Sequence, residues 1–227
     1  MFILNPLSAA VLWKDDFSDE LIHELLWDMK NTTGTTRLEN KRCILNIEDK
    51  NPGLEEAMIT LPSRSLPPNF DLHTAIEFTN VDTGKGEFYI NIGDRMELVI
   101  SFGQSRFFPS GKETDSNKKI YLIDFKRQTI ITQASGNVSF YPHKISSGER
   151  QFVSWLSNGE TPAQQIIKVG NAPGESNIAD FVIETKEPVS GPVEIGIRDG
   201  IREIRLNYIR AYLYGTSSSL VQDWVLF

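Results

Sequence analysis

The stretch EFYINIGDRMELVIS, residues 87–101, alternates apolar and polar side chains before a Gly93-Asp94 pair and turns apolar again after it. Successive side chains of a β-strand point to opposite faces, so a period of two predicts strands on both sides of this pair. Gly followed by Asp is a sequence that joins two strands in a tight hairpin. The stretch therefore predicts a β-hairpin in which Glu97 lies across from about Ile90.

The same period of two recurs along the chain, and most of its segments are bounded by Gly, Pro, Asn, Asp or Ser. Further strands are predicted at residues 42–48, 56–62, 72–81, 119–127, 128–135, 149–158, 163–171, 179–185, 193–200 and 201–214. Helical periodicity is weak, and its best candidate is a short irregular helix or loop over residues 19–30. Many short strands separated by turns are typical of a sandwich or barrel. We predict an all-β jelly-roll sandwich of two antiparallel sheets.

Composition excludes several classes of function. The chain has 227 residues and a net charge of −7, which disfavours binding to a nucleic acid backbone. The one cysteine, Cys43, has apolar neighbours and is predicted to be a buried, unreactive thiol. His23, His73 and His143 lie far apart, without the spacing of a metal site. No apolar run is long enough to span a membrane.

The first and last predicted strands carry a family resemblance. Residues 11–19, VLWKDDFSD, resemble the opening strand of laminarinase- and lichenase-type glycoside hydrolases and their concanavalin A-like relatives. Residues 204–212, IRLNYIRAY, resemble the closing strand of that fold, and residues 191–197 fit the partner strand of the closing strand. The resemblance implies a concanavalin A-like jelly roll in which the first and last strands lie side by side.

Members of this family often hold a structural calcium ion between these two ends. In this sequence Asn207 stands at the closing-strand position, and Asp16 is one of several acids near the opening strand. Calcium accepts both carboxylate and amide oxygens as ligands. The resemblance therefore makes Asp16 and Asn207 candidate metal ligands, and the alternative is that these side chains cap turns.

The resemblance also permits a test for catalysis. Family enzymes carry a Glu, an Asp two residues later and a second Glu three residues after that. This sequence keeps the first acid as Glu87 but has Tyr89 and Ile92 at the other two positions. Isoleucine cannot transfer a proton, so we predict no catalytic residues and no enzymatic activity. The enzymatic alternative is a glycoside hydrolase with displaced acids, such as a Glu87/Glu97 pair.

Without catalysis, the resemblance implies recognition of carbohydrate, for which aromatic rings stack on sugar rings and polar side chains bind hydroxyl groups. The candidate ligand-binding residues are Tyr89, Glu87, Arg95, Arg106 and Trp155. The alternative is that most of the aromatic rings belong to the core.

Two apolar ends suggest a further role. We interpret residues 1–214 as one domain and residues 215–227 as an apolar tail in which Trp224 and Phe227 are candidate docking residues. Apolar ends usually dock on their own domain or on a neighbouring subunit. No convincing signal peptide precedes the domain, so the cellular location stays unassigned, and a virion or other particle surface is one candidate. We predict a non-catalytic module for glycan recognition or adhesion within a larger assembly; the alternative is a structural virion decoration, fibre or tail protein.

Overall fold

The computed structural model describes residues 10–19, 28–31, 34–47, 56–60, 65–79, 87–101, 119–124, 129–131, 148–160, 162–198 and 203–214. Within these ranges the regular elements are strands, and they form two antiparallel sheets. A search of the same ranges finds no helix of the length and apolarity that crossing a membrane requires. The predicted all-β class and the two-sheet jelly roll are confirmed.

Among the described residues, sheet I has eight strands. They are β1 (Val11–Asp15), β3 (Gly34–Leu38), β4 (Cys43–Ile47), β6 (Asn69–Phe78), β11 (Arg150–Asn158), β12 (Ala163–Gly170), β13 (Ala179–Thr185) and β15 (Glu203–Leu213). Their order across the sheet is β13-β12-β11-β6-β15-β4-β3. Strand β1 also pairs with β15, beyond the part of β15 that pairs with β4.

Sheet II has seven strands within the ranges that the structure describes. They are β2 (Asp28–Asn31), β5 (Glu56–Thr60), β7 (Glu87–Ile92), β8 (Met96–Ser101), β9 (Lys119–Asp124), β10 (Thr129–Ile131) and β14 (Val193–Arg198). Their order is β10-β9-β8-β7-β14-β5-β2. Strands β8, β7 and β14 are adjacent and lie near the middle of this sheet.

The hydrophobic core lies between the two sheets and is built from alternate residues of their strands. Strand β11 turns Val153 and Trp155 inward, and β7 turns Phe88, Ile90 and Ile92 inward. The rings of Phe78 in sheet I and Phe88 in sheet II meet edge to face, with 5.7 Å between their centroids. Burial of these apolar faces removes hydrocarbon surface from water and holds the two sheets together.

The predicted pairing of the first and last strands is confirmed, because β1 runs antiparallel to β15 over Val11 to Asp15. The prediction that residues 191–197 partner the closing strand is wrong. Strand β14 pairs instead with β5 and β7 in the opposite sheet. Both strands have an apolar alternate face that points into the shared core, so the pattern alone could not assign them to one sheet or to two.

The hairpin of β7 and β8 forms where it is predicted, with Gly93 at φ 61° and Asp94 at φ 51°. Its loop has three residues, and Ile92 pairs with Met96, so Glu97 lies opposite Asn91 and not opposite Ile90. A shift of one residue changes the face on which a side chain lies. The actual register puts Glu97 on the same face as Glu87.

Several sequence predictions fall partly or wholly outside the described residues. Residues 28–30, at the end of the predicted helix or loop, belong to strand β2, and residues 20–27 lie outside the described ranges. Strand β3 has no counterpart among the predicted strands. The tail at 215–227, with Trp224 and Phe227, lies outside the described ranges.

Candidate functional site

The outer face of sheet II, opposite the core, collects polar side chains from three adjacent strands. Strand β7 contributes Glu87, Tyr89 and Asn91, because its other residues point into the core. Register pairs Glu87 with Arg198 of β14, and Asn91 with Glu97 of β8. The backbone therefore brings acids from positions 87 and 97 and a base from position 198 to one face.

These three side chains form a charge cluster, which we call the Glu87–Arg198–Glu97 cluster. Arg198 Nε donates a hydrogen bond of 2.7 Å to Glu87 Oε2. Its Nη2 atom donates one of 2.6 Å to Glu97 Oε1, and Nη1 lies 3.4 Å from Glu97 Oε2. One guanidinium thus joins carboxylates from two other strands, which is the forked geometry that arginine provides.

The cluster is closed to solvent even though it lies on the face away from the core. Glu87 is 0% exposed, Glu97 2% and Arg198 4%. Burial by itself lowers the pKa of Arg198, but attraction to Glu97 and Glu87 and their hydrogen bonds outweigh it and hold that pKa above its ordinary value. Charges removed from water to this extent are tolerated only when they are paired and hydrogen-bonded.

Tyr89 lies in the middle of the cluster. The Cζ atom of Arg198 is 4.4 Å from the centroid of the Tyr89 ring, a cation–π arrangement. The ring also crosses to the neighbouring strand and lies over Gly196, where a Cβ atom would come within 2.5 Å of the ring Cζ. Tyr89 is 0% exposed, so neither face of this ring is available for stacking on a sugar in this conformation.

This arrangement constrains what the two acids can do. A retaining glycosidase needs two carboxyl groups that flank a substrate bond, one as nucleophile and one as acid and base. Here the two carboxylates point at a common guanidinium and are shielded from solvent. The geometry is that of a structural ion cluster that ties β7, β8 and β14 together.

The remaining candidate ligand residues do not join this cluster. Arg95 is the last residue of the β7–β8 loop and forms an ion pair with Glu187 near the surface. Trp155 lies on the core-facing side of sheet I, where its Nε1 donates a 3.0 Å hydrogen bond to Gln165 Oε1. Arg106 lies outside the described residues. Of the candidate residues that the structure describes, only Glu87 and Tyr89 lie together.

Arg198 is the site residue that sequence reasoning missed. It follows the apolar positions of VEIGI in residues 193–197, and strand alternation puts it on the same face as Glu194 and Gly196. From sequence alone, a charged residue at the end of a strand is ordinarily interpreted as exposed to solvent. The only signal that could have found it is the pairing of β14 with β7, which the sequence does not specify.

Asn207 lies between the part of β15 that pairs with β4 and the part that pairs with β1, and Asp16 directly follows β1. Asn207 occupies a bulge in β15, and its Oδ1 atom is shielded from solvent and has no hydrogen-bond partner within the described structure. Asp16 is exposed, and its pKa is lowered, first by its side-chain hydrogen bond with Ser18. Among the described residues, no group of three or more His, Cys, Asp or Glu side chains is placed to hold a metal. The described residues thus offer one shielded amide oxygen here, and by themselves an incomplete set of ligands.

Comparison with known proteins identifies the fold. No protein-family model matches the sequence, and no curated protein matches it. A β-1,3-glucanase from Mycobacterium marinum superposes with a TM-score of 0.58 at 14% identity, covering 91% of this chain and 100% of that one. A protein of unknown function with a galectin-like fold from Bacillus subtilis gives 0.57 at 8% identity, covering 92% and 98%.

A third neighbour was solved with bound calcium. The exoplasmic/lumenal domain of VIP36 in its Ca²⁺-bound form superposes with a TM-score of 0.55 at 9% identity, covering 88% of this chain and 86% of that one. At such low identities the likeness concerns the fold and not the activity. The chain therefore has the concanavalin A-like jelly-roll fold that lectins and glucanases share.

Proposed function

We propose that this protein is a non-catalytic module that recognises glycans. The observation that carries the proposal is the Glu87–Arg198–Glu97 cluster, in which both acids of the central strands are hydrogen-bonded to one buried guanidinium. A carboxylate held in this way is not presented to a substrate. The fold is retained, while the two acids that hydrolysis would require serve to hold strands together.

Support for glycans as the ligand class comes from the structural neighbours. Crystal structures of the VIP36 domain hold Ca²⁺ together with mannose or with Man3GlcNAc. The glucanase from Mycobacterium marinum shares the same architecture. A sandwich of this type offers sheet faces and loop ends on which sugars bind, and loss of catalysis leaves that capacity in place.

The test is a glycan array combined with a hydrolysis assay on the same wild-type protein. We expect binding to at least one glycan, and no release of reducing ends from β-1,3-glucan or mixed-linkage glucan. Absence of binding across mammalian, plant and microbial glycans would contradict recognition. Turnover above the rate of a heat-denatured control would contradict the non-catalytic assignment.

A Glu87→Gln variant makes the hydrolysis assay specific to Glu87. Its amide oxygen still accepts the hydrogen bond from Arg198 Nε, so the cluster loses a charge but keeps a partner at that atom. We expect glycan binding to be unchanged once far-UV circular dichroism shows that the variant is folded. Wild-type glucan turnover that disappears in the folded variant would assign Glu87 to catalysis.

A structural calcium ion is the second part of the proposal. It is supported by the shielded Oδ1 atom of Asn207, since an unsatisfied buried acceptor costs about 1–3 kcal/mol and a hard cation would satisfy it. We expect millimolar Ca²⁺ to raise the melting temperature of the wild type relative to EGTA, and to have no effect on Asn207→Leu. An equal melting temperature in Ca²⁺ and EGTA would remove calcium from the proposal.

A further inference from the structure

The outer face of sheet I, opposite the core, carries a cross-strand row of apolar residues among polar ones. Register places Val182, Ile166 and Leu156 side by side on three adjacent strands. An antiparallel sheet with one solvated face normally carries polar residues at such positions. Val182 is 38% exposed, and Ile166 and Leu156 are partly exposed.

Aromatic residues extend this apolar surface across the sheet. Phe152 of β11 and Tyr208 of β15 flank Ala75 of β6 in one cross-strand row. Tyr212 lies further along β15, edge to face with His73 at 5.8 Å between ring centroids. Arg210 lies over the Tyr208 ring with its Cζ atom 4.4 Å from the centroid. Aromatic residues and arginine are the types enriched in protein–protein interfaces.

The strands at the two sides of this face carry opposite charges, whereas β12 between them carries Lys168, the cross-strand neighbour of Asp180, and β6 carries the paired side chains of Asp71 and His73. The acidic side of the face is β13, where Asp180 and Glu184 face outward on either side of Val182. Its basic side is formed by Arg210 of β15 and its cross-strand neighbour Lys14 of β1. One cross-strand row runs over five strands from Asp180 of β13 to Arg210 of β15. Ser154 of β11 lies at the centre of this row.

We propose that the outer face of sheet I is the interface of a homodimer with a twofold axis that runs along β11 in the plane of contact. Such a rotation lays β13 of one copy over β15 of the other, because each lies two strands from β11. Asp180 then faces Arg210 of the second copy, and Val182 faces Tyr212 of the second copy. Phe152, Ser154 and Leu156 lie on the axis and meet their own equivalents.

The charges on this face indicate that its partner is a second copy of the same chain, and they indicate the direction of the twofold axis. A twofold interface brings one surface against itself, so it must be self-complementary. An axis perpendicular to the strands would instead set Asp180 against Asp180 and Arg210 against Arg210, which is repulsive. The axis along β11 sets Asp180 on Arg210 twice and sets Phe152 and Leu156 on their own equivalents. One strand away from the axis, Ile166 faces Asp71 and Lys168 faces His73 of the second copy.

The interface does not depend on glycan binding, and it is tested by sedimentation and light scattering of the wild type and charge-reversal variants. We expect a wild-type dimer and at least about tenfold weaker association for Asp180→Arg and for Arg210→Asp, since each opposes like charges twice. The double variant restores opposite charges and is expected to recover the wild-type dimer. Glu187→Arg, a reversal of the same size outside this face, is the control and keeps the dimer.

Two results would overturn the proposal. One is a wild type that stays monomeric at concentrations up to about 0.1 mM. The other is a double variant that associates no better than either single variant, which would show that positions 180 and 210 do not face each other. Binding of a different protein by a monomeric wild type would also assign the face to another partner.

A cross-linking experiment tests the axis itself. Packed sheets lie about 10 Å apart, too far for a disulfide but within reach of a short bis-maleimide. In a Cys43→Ala background we expect Ser154→Cys to cross-link to its own equivalent, because Ser154 lies on the axis. Lys168→Cys, one strand away in the same row, is the matched control and should not link to itself. Efficient linkage of Lys168→Cys, with none of Ser154→Cys, would contradict this axis.

Discussion

At the scale of single residues, Arg198 determines the chemical role of the acids around it. Replacing it by methionine removes the guanidinium that binds the buried carboxylates of Glu87 and Glu97. Removal of one partner from a buried ion pair costs about 3–5 kcal/mol, because the remaining charge loses that partner in a place where water cannot replace it. We expect Arg198→Met to lower the free energy of unfolding by this amount, measured by urea denaturation.

The matched control is Arg205→Met on sheet I. Arg205 also bonds two acids, Glu77 and Glu203, but its side chain is 37% exposed. Solvent screens such pairs, and exposed ion pairs contribute roughly 0–1 kcal/mol. Equal losses for the two arginine variants would show that the Glu87–Arg198–Glu97 cluster is not the buried structural element described above.

Cys43 provides a second residue-scale prediction, which concerns pH. Burial, with a smaller contribution from the charge of Asp15, raises the pKa of the Cys43 thiol to about 12. The unfolded chain releases this proton at its ordinary pKa while the folded chain keeps it, so stability falls as the pH rises from about 9 towards 12. The loss amounts to about 1.4 kcal/mol per pH unit in that window.

This pH dependence is measured by urea denaturation at a series of pH values for the wild type and Cys43→Ala. We expect the wild type to lose stability more steeply than the variant above pH 9, whereas the two slopes agree below it. Parallel slopes above that pH would mean that the thiol titrates alike in the folded and unfolded states. The native thiol should also resist aromatic disulfide reagents until urea exposes it.

At the scale of elements, the contact of Tyr89 with Gly196 joins β7 to β14. A methyl group at position 196 would lie 2.5 Å from both the ring Cζ and the hydroxyl oxygen. The ring is fully buried and cannot move aside without disturbing its cation–π contact with Arg198. We expect Gly196→Ala to destabilise the protein by about 1–3 kcal/mol, the usual range for overpacking.

A double-mutant cycle checks that this contact is the cause. Tyr89→Ala removes the ring and leaves a cavity, with its own loss of stability. In the double variant the new methyl group meets no ring, so the combined loss should be smaller than the sum of the two single losses. Additive losses would place the strain of Gly196→Ala elsewhere in β14.

At the scale of the whole molecule, the two sheets share one core and should unfold together. Sheet I contributes Phe78 and Trp155 to that core, and sheet II contributes Phe88 and Ile195. Loss of either sheet exposes the apolar face of the other, which makes partly folded states unfavourable. We expect thermal transitions followed by far-UV and near-UV circular dichroism to coincide, and two separate midpoints would contradict the single-domain interpretation.

Much of the architecture was predictable from local patterns. Alternation in residues 87–101 and 149–158 predicted strands, and the Gly93-Asp94 pair predicted the hairpin, because side-chain direction and turn chemistry depend on adjacent residues. The end segments correctly predicted the pairing of β1 with β15. The isolation of Cys43 among apolar neighbours predicted its burial for the same local reason.

The arrangement of charged side chains on the outer face of sheet II depended on strand pairings that no local sequence pattern specifies. One residue in the hairpin loop decided whether Glu97 shared a face with Glu87, and the assignment of β14 to sheet II brought Arg198 to both acids. A residue's sequence neighbourhood specifies its strand and turn, but the partner across the sheet is set by competition among all strands for one core. The sequence by itself thus determined a β-sandwich, and only the tertiary structure decided that its central acids form an ion cluster.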